Sequence, residues 1–141
     1  MPIATVNPAT GETIRTFAEL TDEELDTRLA RASRAFRGWR KRPVAERAAV
    51  VRRLGELLDA EQEQRGRLMT LEMGKPIAAA NQEAAKCALA CRYYAEHAER
   101  ILAPERVPGA EDDGYVLYQP LGVVLAVMPW NFPFWQTARF M

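Results

Sequence analysis

Pro120-Leu-Gly-Val-Val-Leu-Ala-Val-Met-Pro-Trp-Asn-Phe-Pro-Phe-Trp-Gln-Thr-Ala-Arg-Phe-Met141 is the stretch on which the reading of the whole chain turns. Val123 to Met128 is an unbroken apolar run of strand length, the pattern of a parallel strand covered on both faces. Pro129 ends it, because proline donates no ladder hydrogen bond, and Pro133 suits the first turn of a new helix. Trp130, Asn131 and Phe132 therefore occupy a strand-to-helix corner, and the fold class is α/β.

In open α/β sheets ligands bind at such corners, where a helix N-terminus offers free N–H groups. Asn131 is flanked by Trp130, Phe132 and Trp135, so its carboxamide is expected to face a partly dry pocket, where a donor aimed at developing negative charge is most effective. Asn is also a preferred N-cap residue. Local pattern leaves both readings of Asn131 open.

The 141 residues carry 19 basic and 19 acidic side chains, and nearly half are apolar, enough for one ordinary domain core. Nothing at the N-terminus has the form of a secretory signal, and no apolar run reaches the roughly 20 residues of a membrane span. A cytoplasmic location and no membrane partner are expected. Cys87 and Cys91 lie on the helical stripe Ala80, Ala84, Cys87, Cys91, Tyr94, Ala98, Ile101, which reads as a packing seam; with one histidine in the chain, no zinc ligand set forms and no metal is expected. His97 reads as a surface or helix-end partner rather than a base. Arg28, Arg31, Arg34, Arg37 and Arg40 recur every three residues, but Glu46, Glu56, Asp59, Glu61 and Glu63 follow. They read as a solvated face with local ion pairs, not a nucleic-acid surface.

From the start, Ile3 to Val6 and Thr13 to Ala18 read as strands joined by the turn residues Asn7-Pro-Ala-Thr-Gly11. Thr21-Asp-Glu-Glu24 has capping-box form, opening a helix to about Trp39 with the apolar stripe Leu25, Leu29, Ala32, Phe36, Trp39. A second helix is expected from Pro43 to about Glu72, with Gly55 and Gly66 as weak points, ended by Gly74 and Pro76. An alanine-rich third runs from about Ile77 to Leu102. Pro104 to Gly114 reads as a loop and Tyr115 to Gln119 as a strand. There is no internal repeat and no glycine-rich phosphate loop.

Met128-Pro-Trp-Asn-Phe-Pro133, together with Leu71-Glu-Met-Gly-Lys-Pro76 and Tyr118-Gln-Pro-Leu-Gly-Val123, resembles segments of the aldehyde dehydrogenase superfamily in their order. From Asn7-Pro-Ala-Thr-Gly11 through Tyr93-Tyr-Ala-Glu-His97 to the end, the chain is most similar to the bacterial succinate-semialdehyde dehydrogenase branch. The resemblance implies an incomplete N-terminal segment: 1–20 a β-ribbon, 21–103 the helical part of a cofactor-binding domain, 115–122 a ribbon strand, and 123–141 the first strand of a Rossmann-like parallel sheet with the start of its helix.

It further implies NAD- or NADP-dependent oxidation of a small aldehyde, succinate semialdehyde foremost, by a full-length protein that is a homo-oligomer. In that family a cysteine thiolate attacks the aldehyde and a glutamate activates the hydrolytic water; both belong beyond Met141, as do the residues that choose NAD or NADP. Asn131 matches the oxyanion asparagine. Met128, Pro129 and Trp130, with Asn131, match the cofactor side of the corner, and Phe132, Trp135 and Arg139 match positions lining the aldehyde entrance. A second reading is a non-catalytic interaction or oligomerisation module built from the same elements.

Overall fold

The computed structural model describes residues 3–109 and 114–140; Met141 and residues 110–113 of the expected loop lie outside the described residues. β1 (Ile3–Val6) pairs antiparallel with β2 (Thr13–Phe17), with an irregularity between Thr5 and Val6. Their turn is local chemistry. The Asn7 side chain accepts from the Ala9 N–H at 2.9 Å, and Gly11, at φ 75°, donates its N–H to the Asn7 carbonyl.

α1 (Asp22–Trp39) begins at the expected capping box: the Thr21 hydroxyl accepts from the Glu24 N–H at 3.2 Å, and the Glu24 carboxylate accepts from the Thr21 N–H at 3.0 Å. Its apolar stripe has little cover, with Leu25, Leu29 and Trp39 exposed and Ala32 and Phe36 half-buried. The arginine row is solvated, as expected, but the ion pairs fall elsewhere. Glu46, Glu56, Asp59, Glu61 and Glu63 pair with Arg42, Arg53, Arg92, Arg65 and Arg67, none of them in that row.

The single helix expected over 43–72 is two, α2 (Val44–Ala60) and α3 (Gln62–Met73), bent at Glu61, whose φ and ψ are −106° and 16°. Backbone hydrogen bonds continue across the bend, from Glu61 N–H to the Leu57 carbonyl and from Arg65 N–H to the Glu61 carbonyl. It brings both helices onto α4 (Ile77–Ile101), to which Gln62 donates a side-chain hydrogen bond at the Asn81 carbonyl, 3.1 Å. Gly55 and Gly66 are points of close approach rather than weak points. A β-carbon on Gly55 would stand 3.1 Å from Cys91 Cβ and 3.2 Å from the Ala88 carbonyl oxygen, and one on Gly66 would overlap Asn81 Oδ1.

Ala80, Ala84, Cys87, Ala88, Cys91 and Ala95 of α4 are buried, and Leu58, Cys87, Ala88 and Cys91 form the core, with Val51, Leu54, Phe134, Trp135 and Ala138 against it. Burial, then the Glu83 carboxylate, pushes the Cys87 thiol up to about 11, and burial also raises Cys91. Farther along the seam Tyr94 and Ile101 turn out to be exposed. At the end of α4, the His97 ring stacks on Tyr93 and its Nδ1 lies 2.8 Å from the Tyr93 carbonyl.

β3 (Glu105–Arg106) lies inside the segment read as loop and pairs antiparallel with β4 (Tyr115–Val116), so the strand expected to reach Gln119 is only two residues long. The run Val123 to Met128, expected as the first strand of a sheet, is not a strand among the described residues, and it is left exposed and unpaired as such a strand is without its neighbours. No ladder bond joins it to a described strand, and Leu125 is 88% and Val127 84% exposed. Neither face is covered, because the run meets no sheet among the described residues. α5 (Pro133–Ala138) follows, with Pro133 in its first turn.

Two outcomes are expected from this packing. Gly55→Val forces a branched side chain against the fixed backbone of α4 and should cost about 1–3 kcal/mol, read as a fall in the thermal midpoint; an unchanged midpoint would show that α2 and α4 do not touch at Gly55. In native protein at pH 8, a disulfide reagent should label Cys87 and Cys91 only after denaturation. Because the folded Cys87 thiol lies above its ordinary value of 9.0, its contribution to stability is complete below about pH 9 and is lost as pH rises towards 11.

Candidate functional site

The corner is assembled from three distant segments. Gly74, in the left-handed conformation at φ 72°, ends α3 and turns the chain into Lys75, whose carbonyl accepts a 2.7 Å hydrogen bond from the Thr70 hydroxyl. Pro76 then starts α4, which carries Glu83 into the seam, where Glu83 is only 4% exposed. Lys75 is also buried, and its ammonium donates to Glu83 Oε2. Two charges taken out of water must satisfy one another and their remaining lone pairs and protons.

They do so by holding the corner. Glu83 Oε1 accepts from the backbone N–H groups of Phe134 and Trp135, each at 3.0 Å, and Lys75 Nζ donates to the Asn131 carbonyl at 3.1 Å. The same ammonium lies 3.8 Å from the Phe132 ring centroid. α5 has no side-chain cap of its own; its N-cap residue is Phe132, and the orphan N–H groups are met by an acid about fifty residues earlier.

This arrangement corrects three expectations. The N–H groups of the new helix are not free for a ligand, since Glu83 fills two of them. Asn131 does not cap α5: its carboxamide makes no hydrogen bond to any described residue. Nor is its surrounding dry, because Asn131 and Phe132 are exposed and Trp130 is 74% exposed.

The other candidates separate. Met128 is half-buried and Pro129 exposed. Trp135 packs on the α4 core, with the Lys86 ammonium 3.9 Å from its ring centroid. Arg139 follows α5, donates to Gln136 Oε1 at 3.4 Å and borders a groove of about 480 Å³ with Trp39, Val44, Tyr94 and Phe140. Asn131, Phe132 and Trp135 do not line that groove. The structure thus brings Asn131 and Phe132 together at Lys75, packs Trp135 on the core and leaves Arg139, just past α5, at the separate groove.

Lys75 stands in the quoted stretch Leu71-Glu-Met-Gly-Lys-Pro76, yet neither it nor Glu83 was given a role from sequence, although a signal for Glu83 was there. An acid three residues after Ala80 and four before Cys87 sits on an otherwise apolar seam, and such a local conflict marks a demand from elsewhere in the fold. Among the described residues no group of three or more His, Cys, Asp or Glu is placed to hold a metal, and no helix is long and apolar enough to cross a membrane.

Known proteins carry the same architecture. The chain is 54% identical to succinate-semialdehyde dehydrogenase (NADP(+)) 1 of Mycobacterium tuberculosis over 99% of its own length and 31% of that protein, and 50% identical to the succinate-semialdehyde dehydrogenase (NADP(+)) of Mycobacterium avium over 99% and 30%. Among solved structures it matches succinic semialdehyde dehydrogenase from Streptococcus pyogenes in complex with NADP+ at a TM-score of 0.92 and 35% identity, covering 97% of this chain and 30% of that one. Gox0499 matches at 0.95 and 31% identity, covering 99% and 31%. The chain therefore spans about a third of the length of these relatives. The model of the aldehyde dehydrogenase family matches residues 1–141 throughout, and the chain belongs to that family.

Proposed function

We propose that the complete protein oxidises a short semialdehyde, succinate semialdehyde foremost, to the carboxylic acid with NADP or NAD, and that this chain supplies the oxyanion corner of the active site. The observation that carries the reading is the Asn131 carboxamide, free of protein partners at the tip of a corner whose backbone is tied down by Lys75. A donor that is unspent and carried on a held backbone is what a developing alkoxide requires. The substrate and NADP(+) in the names of relatives about 50% identical supply the rest of the support.

The backbone groups of Met128 and Trp130 make no hydrogen bond to described residues and suit the amide-bearing ring of a dinucleotide. The α5 N–H groups held by Glu83 do not suit its phosphates. The cofactor, when bound, supplies the hydride acceptor. Asn131 Nδ2 donates to the aldehyde oxygen as charge develops on it, with Phe132 beside it at the corner; the family resemblance, and not a shared groove, supports Trp135 lining the approach and Arg139 reading the distal carboxylate by paired hydrogen bonds. Buried Cys87 and Cys91, with raised thiol pKa, are not the nucleophile. A soluble, cytoplasmic homo-oligomer completes the proposal.

Nicotinamide absorbance, followed with a panel of semialdehydes and both cofactors, tests the complete gene product; no reduction with any pair would overturn the reading and favour the interaction-module alternative. The 141-residue chain by itself should reduce no cofactor. In the active protein, Asn131→Ala should lower kcat about 10²- to 10³-fold, and Asn131→Asp should be at least as harmful because it faces a negative charge with another. Arg139→Ala should raise KM for succinate semialdehyde about tenfold or more, about 1.4 kcal/mol, while sparing an uncharged aldehyde of similar length. Equal losses on both substrates would remove Arg139 from carboxylate recognition.

A further inference from the structure

We infer that Lys75 and Glu83 are positioning residues for the reaction, a buried pair whose task is to fix the direction of the Asn131 carboxamide; this rests on the dehydrogenase reading above. Three observations converge. The pair is buried, so its geometry is not averaged by solvent. All its reach is spent on the corner, with Lys75 Nζ on the Asn131 carbonyl and Glu83 Oε1 on the N–H groups of Phe134 and Trp135, which brackets the segment that follows Asn131. Thr70 in turn fixes the Lys75 backbone, so the ammonium is presented from an anchored stem.

Stability alone does not account for such a pair, because apolar side chains of similar volume commonly stabilise a buried site as well or better. What apolar side chains cannot do is hold a carbonyl and two amides at once. With the Asn131 carbonyl and the next helix fixed, the Asn131 α-carbon is fixed, and the carboxamide moves only about its own side-chain torsions. An error of about 1 Å in such a group can cost about 10²-fold in rate.

Kinetics on the complete gene product can tell positioning from a general structural role. Lys75→Met and Glu83→Gln should each lower kcat about 10- to 10²-fold with KM for the cofactor little changed. Combined with Asn131→Ala, either change should add little to the loss from Asn131→Ala alone, since all three act through one carboxamide. Losses that multiply, or wild-type kcat in both single variants, would overturn the inference.

A measurement without variants guards against misfolding. Hydrogen exchange at single-amide resolution should find the Phe134 and Trp135 amides of the wild-type protein protected, although first-turn amides of a short helix have no intrahelical acceptor. Where Glu83→Gln folds, those two amides should exchange faster while α2 and α4 keep their protection. Rapid exchange in the wild type would dispose of the pair as a lock. Protected amides in a protein that oxidises no aldehyde would instead leave the lock standing and the dehydrogenase reading refuted.

Discussion

A lysine and a glutamate sharing one dry site impose the order of this fold. Removing one partner from a buried pair of this kind costs about 3–5 kcal/mol, since the survivor keeps an uncompensated charge. Here the pair also makes every described hydrogen bond between the helical part and the corner. Without Glu83, α5 would be six residues with no cap, far below the length at which a helix stands in water. Without Lys75, the Asn131 carbonyl would have no described partner. The pair therefore converts the position of the α3–α4 junction into the position of the corner.

The helices supporting that junction owe their closeness to small residues. Gly55 admits the Cys91 and Ala88 surface of α4, Gly66 admits Asn81, and the alanines of α4 keep its own profile low. A helix interior loses roughly 1 kcal/mol with glycine in place of alanine, and packing against the neighbouring helix offsets that cost.

Much of this was legible in the residues. The capping box of Thr21 and Glu24, the stop at Gly74, the first-turn Pro133 and the burial of Cys87 and Cys91 are local chemistry, and each stands where its residue types predict. The bend at Glu61 was not legible, because neither proline nor glycine marks it and it serves packing on α4. Strand pairing was read least well. Glu105–Arg106 is too short to show a period, and its partner lies across a loop rather than in the local pattern. At the corner, the motif pointed to Asn131. It could not reveal that the helix amides beside it are already claimed by an acid 51 and 52 residues earlier.

Sequence separation gives the corner a place in time as well as in space. The bonds from Lys75 to Asn131 and from Phe134 to Glu83 close loops of 56 and 51 residues, whereas α4 is built from bonds four residues apart and meets α3 across a short connection through Gly74 and Pro76. Loop closure over such spans is rewarded only after both ends are ordered. The corner's bonds therefore close the long loops, whereas the helical platform rests on local ones. Loop-closure entropy thus weighs on the corner that carries Asn131, and the described hydrogen bonds that offset it there are those of Lys75 and Glu83.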